Sequence, residues 1–220
     1  MIRSWLLALT LITACVGTET GNPYDGEGAL GARPPMGIVP QPTYREAGVV
    51  LGELALFGGP DCDRVRPMAQ GPLRYDLLVE GGDPIFLQLW EGTWCGVRVT
   101  LAPEVDEPVL GVAGELTDGT ALLVRLDGPI TFDLAARPTF DLSEGDGVHL
   151  VLDLQALFAG TDLASAPRVG GRVVIDRATD PARTEAVEGA LPTAFRLVRD
   201  ADGDGTISAG ELEGDPLAGG

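Results

Sequence analysis

The stretch Val109–Leu126 reads VLGVAGELTDGTALLVRL, with two apolar runs, Val109–Leu116 and Ala121–Leu126, on either side of Asp118-Gly119. Asp-Gly between apolar runs signals a hairpin, because it supplies the positive φ angles of a type I′ turn. The same texture continues outward. Val49–Phe57, Leu73–Glu80, Ile85–Trp90, Cys95–Leu101, Ile130–Leu134, Thr139–Leu142, Val148–Leu154 and Arg172–Ile175 are short runs rich in Val, Leu, Ile and Phe, separated by Gly, Pro and Asp. Short strands broken at regular intervals by turn residues predict an antiparallel β-sandwich or barrel. In Val148–Leu154, Val148, Leu150, Leu152 and Leu154 share one face, and His149, Val151 and Asp153 share the other. This reading places His149 on the polar side, as a surface or satisfied residue.

Composition narrows the function. The chain has 220 residues, 45% hydrophobic and only 5% aromatic, so its core is built from aliphatic side chains. Its 31 Gly and 17 Pro predict many turns and few long helices. The formal net charge is -18, and all 15 basic residues are Arg. Such acidity argues against nucleic acid as a partner, since phosphate neutralisation drives that binding. Without Lys there is no Schiff-base chemistry and no P-loop lysine. The single His leaves no His-rich metal site.

The C-terminal part has a different texture. Asp180 before Pro181 predicts a helix start, with Asp180 as N-cap and Pro181 at N1, where a missing N–H is harmless. Gly189 and Pro192 predict a split into two short helices, the second over Pro192–Arg199. Next comes Asp200-Ala201-Asp202-Gly203-Asp204-Gly205-Thr206-Ile207-Ser208-Ala209-Gly210-Glu211. Ca²⁺ takes six to eight oxygens, and this spacing supplies them. Asp200, Asp202 and Asp204 offer carboxylates at loop positions 1, 3 and 5. Gly205 permits the bend, Thr206 offers its backbone carbonyl, Ser208 suits a water-mediated contact, and Glu211 offers a bidentate carboxylate. The loop resembles those of EF-hand and dockerin-type proteins, which implies Ca²⁺ as the bound ion. The resemblance covers these twelve residues and the expected helix before them. An exiting helix is nearly absent, since Gly214 and Pro216 follow closely, and there is no second loop of this kind. A structural site of the weak extracellular class is expected, with Kd about 10⁻⁴–10⁻³ M.

Residues 1–15 read MIRSWLLALTLITAC. The apolar run Trp5–Ile12 after Arg3 suits a secretory leader and is too short for a membrane-spanning helix. Ile12-Thr13-Ala14-Cys15 resembles the lipobox of bacterial lipoproteins. That resemblance implies cleavage before Cys15, acylation of Cys15 and anchoring in the cell envelope by lipid chains. Val16, where inner-membrane lipoproteins of the family carry Asp, implies the outer membrane. With Cys15 lipidated, Cys62 and Cys95 remain as a pair in an oxidising compartment. A Cys62–Cys95 disulfide is the expectation, with two buried free thiols as the alternative.

The expected organisation is a leader at 1–14, a lipidated Cys and Gly/Pro-rich tether at 15–46, a β-sandwich at 47–178, and short helices with the calcium loop at 179–220. Trp90 and Trp94 suggest either core packing on the disulfide or an exposed platform for a sugar ring. Asp61 with Asp63, and Asp141 with Glu144 and Asp146, are acidic turns that could each hold a further cation. No nucleophile elbow accompanies His149, and no catalytic set is expected. The sequence thus predicts a calcium-binding, membrane-anchored lipoprotein with a structural or adhesive role, whose partner would be an envelope protein or glycan. A carbohydrate-binding module is the alternative.

Overall fold

The computed structural model describes residues 23–33, 42–105 and 107–220. In chain order the strands are β1 (Pro23–Arg33), β2 (Thr43–Gly58), β3 (Arg64–Asp76), β4 (Asp83–Trp90), β5 (Gly92–Leu101), β6 (Leu110–Glu115) and β7 (Ala121–Leu126). They continue with β8 (Ile130–Leu142), β9 (Gly147–Asp153), β10 (Arg168–Val169), β11 (Arg172–Ile175), β12 (Phe195–Asp200) and β13 (Ala218–Gly219). Among the described residues three helices interrupt them, α1 (Leu154–Phe158), α2 (Pro181–Ala194) and α3 (Ala209–Glu213).

The fold is mainly β, in two sheets. One has the order β13-β12-β9-β1-β4; the other runs β10-β11-β7-β6-β2-β5-β8, with β3 paired to β2. The sheets are mixed, not purely antiparallel, because β1 runs parallel to β9 and β11 runs parallel to β7. Neither closes into a barrel. Leu and Val from both sheets join one hydrophobic core. Phe132 of β8 meets Phe195 of β12 across it, with ring centroids 5.5 Å apart.

Several expectations need correction. The stretch expected as tether contains β1, which lies inside a sheet between β9 and β4. Its glycines serve close approach. A Cβ on Gly28 would run into the Val148 carbonyl oxygen, and one on Gly31 would sit 2.9 Å from Ile207 Cδ1. The expected split at Pro192 does not occur, since α2 runs from the Asp180 N-cap and Pro181 to Ala194 with Pro192 near its end. Phe195–Asp200 is then a strand, not a helix. Strand alternation explains Arg196, which points away from the core to Asp153 at 3.2 Å. The two short strands expected at 130–142 are one strand, β8. At Asp118-Gly119 only Gly119 adopts positive φ, +80°. Asp118 does not, and its carboxylate accepts the Thr120 N–H at 2.8 Å, which fits a three-residue hairpin loop rather than a type I′ turn.

Cys62 and Cys95 form a disulfide with Cα atoms 5.8 Å apart. It ties the turn after β2 to β5.

Candidate metal centre

The site begins with β12. This strand pairs antiparallel with β9, placing Val198 opposite His149 and Asp200 opposite Gly147. Directly opposed residues share a face, and so do residues two apart along a strand. Asp200 therefore emerges on the face that carries His149. Gly147 leaves it room: a Cβ there would lie 2.9 Å from Asp200 Oδ2.

The chain then turns back over this face. Gly203 and Gly205 both adopt φ +73°, the left-handed region that glycine reaches without steric cost. The carboxylates organise the turn from inside. Asp200 Oδ1 accepts the Gly203 N–H at 2.7 Å, and Oδ2 accepts the Gly205 N–H at 3.0 Å. Asp204 Oδ1 accepts both the N–H and the hydroxyl of Thr206, each at 2.7 Å. Ser208 caps α3, its Oγ accepting the Glu211 N–H at 3.3 Å. Glu211 answers with Oε2 on the Ser208 N–H and Oε1 on the Ala201 N–H, both at 2.7 Å. This capping box returns the last carboxylate of the loop to its first residues.

Ile207 anchors the loop to the body. Its N–H donates to the Gly81 carbonyl at 2.7 Å, and its side chain lies close against Gly31 and Gly82.

The outcome is a concentration of negative charge in two layers. Carboxylate oxygens of Asp200, Asp202 and Asp204 lie within 4.8 Å of one another, and the same holds for one ligand atom each of His149, Asp200 and Glu211. The side chains of Asp200 and Glu211 are 2% and 4% exposed, whereas Asp202 and Asp204 are open to solvent. Among the described residues no arginine pairs with Asp200 or Glu211; the neighbouring Arg199 turns away to Asp146 at 2.5 Å. Crowding of the Asp202 carboxyl, then the charges of Asp204, Glu211 and Asp200, hold it above the ordinary carboxylate range. The hydroxyl and N–H of Thr206 hold Asp204 below that range.

Burying two unpaired carboxylates is unfavourable unless a cation joins them. The carboxylates gathered here, of Asp200, Asp202, Asp204 and Glu211, offer oxygen donors. Such a set suits a hard divalent ion such as Ca²⁺. The five residues singled out by sequence spacing, Asp200, Asp202, Asp204, Thr206 and Glu211, thus fall in one folded loop.

Other candidates fare differently. Cys15 lies outside the described residues. Trp94 is 6% exposed, and its indole N–H donates to the Trp90 carbonyl at 3.0 Å. Trp90 is half-buried, donates to the Pro67 carbonyl at 3.2 Å and carries the Arg66 guanidinium 5.2 Å over its ring. The two indoles therefore do not form an exposed stacking platform. In the acidic turn at 141–146, Asp146 is engaged by Arg199 and by the Ser143 N–H.

His149 was missed. It is fully buried, because the loop brings Asp200 and Glu211 over the face that alternation assigns to solvent, and Ala29 of the neighbouring β1 flanks the ring. The one sign in the sequence is Val151, an apolar residue on that same face. The chain matches no protein-family model, and no match appears among curated proteins or solved structures. Among the described residues no helix is long and apolar enough to cross a membrane.

Proposed function

We propose that this chain is a calcium-binding lipoprotein of the bacterial cell envelope, anchored through lipid on Cys15. Its two sheets form a β-sandwich body with a structural or adhesive, ligand-binding role, towards an envelope protein or glycan. One observation carries the reading: the carboxylates at the first and last positions of a twelve-residue loop are buried side by side, without an arginine partner among the described residues. Occupied by calcium, the loop would hold β12 and α3 to the body through Ile207 and Gly81. The ion's role is to tie elements together, and no catalytic step is assigned to it. With α3 only five residues long and a strand before the loop, there is no pair of helices to open around a groove, so a calmodulin-type switch is not part of the reading.

Isothermal titration of the chain with Ca²⁺ tests this, with Glu211→Gln as the control. The expected result is one site with Kd about 10⁻⁴–10⁻³ M, lost in the variant. No binding up to several times the upper value would overturn the calcium assignment. Separately, Cys15→Ser should release the chain from the membrane fraction; continued membrane association in that variant would overturn the anchor.

A further inference from the structure

Beneath the two buried carboxylates lies a histidine whose tautomer is fixed from its other side. His149 Nδ1 accepts the backbone N–H of Ala29 at 2.9 Å. A backbone N–H can only donate, so Nδ1 keeps its lone pair, and the proton of the neutral ring sits on Nε2. Among the described residues Nε2 has no hydrogen-bond partner, although the ring is fully buried. It faces Asp200 Oδ1 at 3.9 Å and Glu211 Oε2 at 3.8 Å. Those separations are about 0.6–0.7 Å beyond the usual hydrogen-bond range. A buried donor without an acceptor is unfavourable, and these two oxygens are placed to relieve it.

We infer that His149 is the positioning residue of the cation site, donating from Nε2 to the Asp200 and Glu211 carboxylates and holding them for the ion without binding it. The inference rests on the reading of the loop as a calcium site. It adds a rule of metal choice. With its proton on Nε2, the ring has no lone pair to offer a metal there. Ligation would require moving that proton to Nδ1, against the Ala29 N–H. The site therefore presents oxygen alone, and it discriminates against zinc and other metals that favour imidazole. Hydrogen bonds behind metal-ligating groups orient them, and losing one weakens binding by about 10–100-fold. The same bond chain joins the ion to the interior of a sheet, because Ala29 belongs to β1 and His149 to β9.

His149 is the single histidine of the chain, so imidazole signals report on it alone. Long-range ¹H–¹⁵N correlation spectra of the labelled full chain, with and without Ca²⁺, should place the proton on Nε2 in both states. Calcium should shift that proton downfield as the bond to the carboxylates forms. By calorimetry, His149→Phe should bind Ca²⁺ about 10–100-fold more weakly. His149→Gln, which keeps an N–H donor of similar reach, should recover most of the loss. Zinc at equal concentration should not displace calcium from the unmodified chain.

A proton on Nδ1, or displacement of calcium by zinc that His149→Phe abolishes, would overturn the inference and make His149 a nitrogen ligand. Equal calcium affinity in the unmodified chain and His149→Phe would overturn the positioning role while leaving the calcium loop intact. If the unmodified chain binds no calcium, the loop reading fails and the positioning role fails with it. Should His149→Phe not fold, the tautomer and the zinc competition in the unmodified chain decide the matter.

Discussion

Strand β1 and the loop at 200–211 are both rich in Gly and acidic residues, and both lack a run of alternating apolar side chains. One is inside a sheet; the other is a turn that gathers carboxylates. The difference lies in what glycine does in each. In the loop, Gly203 and Gly205 take positive φ and leave nothing pressed against them but Glu27 beside Gly205. In β1, Gly28 and Gly31 are extended and lie where a Cβ would strike the Val148 carbonyl and Ile207. Glycine marks freedom in the first case and close approach in the second, and composition does not distinguish them. The two regions are also partners, since β1 supplies the Ala29 N–H behind His149 and the Gly31 surface under Ile207.

The harshest way to break this relationship is Gly28→Val. Backbone stands in the way of the new side chain, so relief by repacking is small and the usual overpacking cost of about 1–3 kcal/mol is a lower bound. The variant should lose its cooperative melt. A near-normal melt would mean that β1 is not embedded between β9 and β4.

Reducing the Cys62–Cys95 disulfide comes next. It closes a span with sequence separation 33, and loop entropy assigns such a bridge about 3–4 kcal/mol. Because the bridge ties β5 to the turn after β2 and not to the loop, denaturant melts should show this loss while calcium affinity stays within a factor of about two. A parallel fall in affinity would show that the loop senses the whole body and not mainly its contacts with β1.

Within the loop, the buried and exposed layers should separate. Glu211→Gln is expected to weaken calcium by about 100-fold, near 2.7 kcal/mol, and Asp204→Asn by about tenfold, near 1.4 kcal/mol. Calorimetry on both variants checks the order. The reverse order would mean that the exposed carboxylates dominate and that burial of Glu211 serves only the cap on α3.

The smallest effect belongs to a cap outside both regions. Asp180→Ala should cost about 1 kcal/mol, since its side chain holds the Arg183 N–H at the start of α2. Burial pushes the Asp180 carboxyl up, but the hydrogen bonds and charge of Arg183 outweigh it and hold it below the usual range. A depressed carboxyl stabilises the fold above its unfolded value and loses that contribution as pH falls through the folded one. Melts of the unmodified chain and the variant should therefore differ at pH 6 and converge at strongly acid pH, below the normal carboxylate range of about 4.

Much of this was legible in sequence for specific reasons. The helix start at Asp180-Pro181 and the turn through Gly203 and Gly205 were readable because capping and tight turns demand particular residues at fixed places. The Cys pair was readable because the expected compartment and an odd count left one pairing. Strand β12 was not, since Phe195, Leu197 and Val198 fit a helix as well as a strand, and only pairing with β9 decides. Strand β1 was not, because its place depends on small residues meeting neighbours far along the chain. His149 was hidden with it: it becomes internal when the loop folds over it and β1 seats Ala29 beside its ring, and neither neighbour is visible from β9 alone.

The central claim is that the loop holds one calcium ion and is coupled to the β-rich body. A thermal melt with 10 mM Ca²⁺ against the same melt with excess chelator tests it most directly. With Kd about 10⁻⁴ M, that concentration adds about 2.7 kcal/mol of stability, which for a chain of this size raises Tm by about 5–10 °C. Such a rise, absent in Glu211→Gln, is the predicted result. An unchanged Tm with calorimetry showing the ion bound would contradict the coupling, and an unchanged Tm with no ion bound would contradict the site.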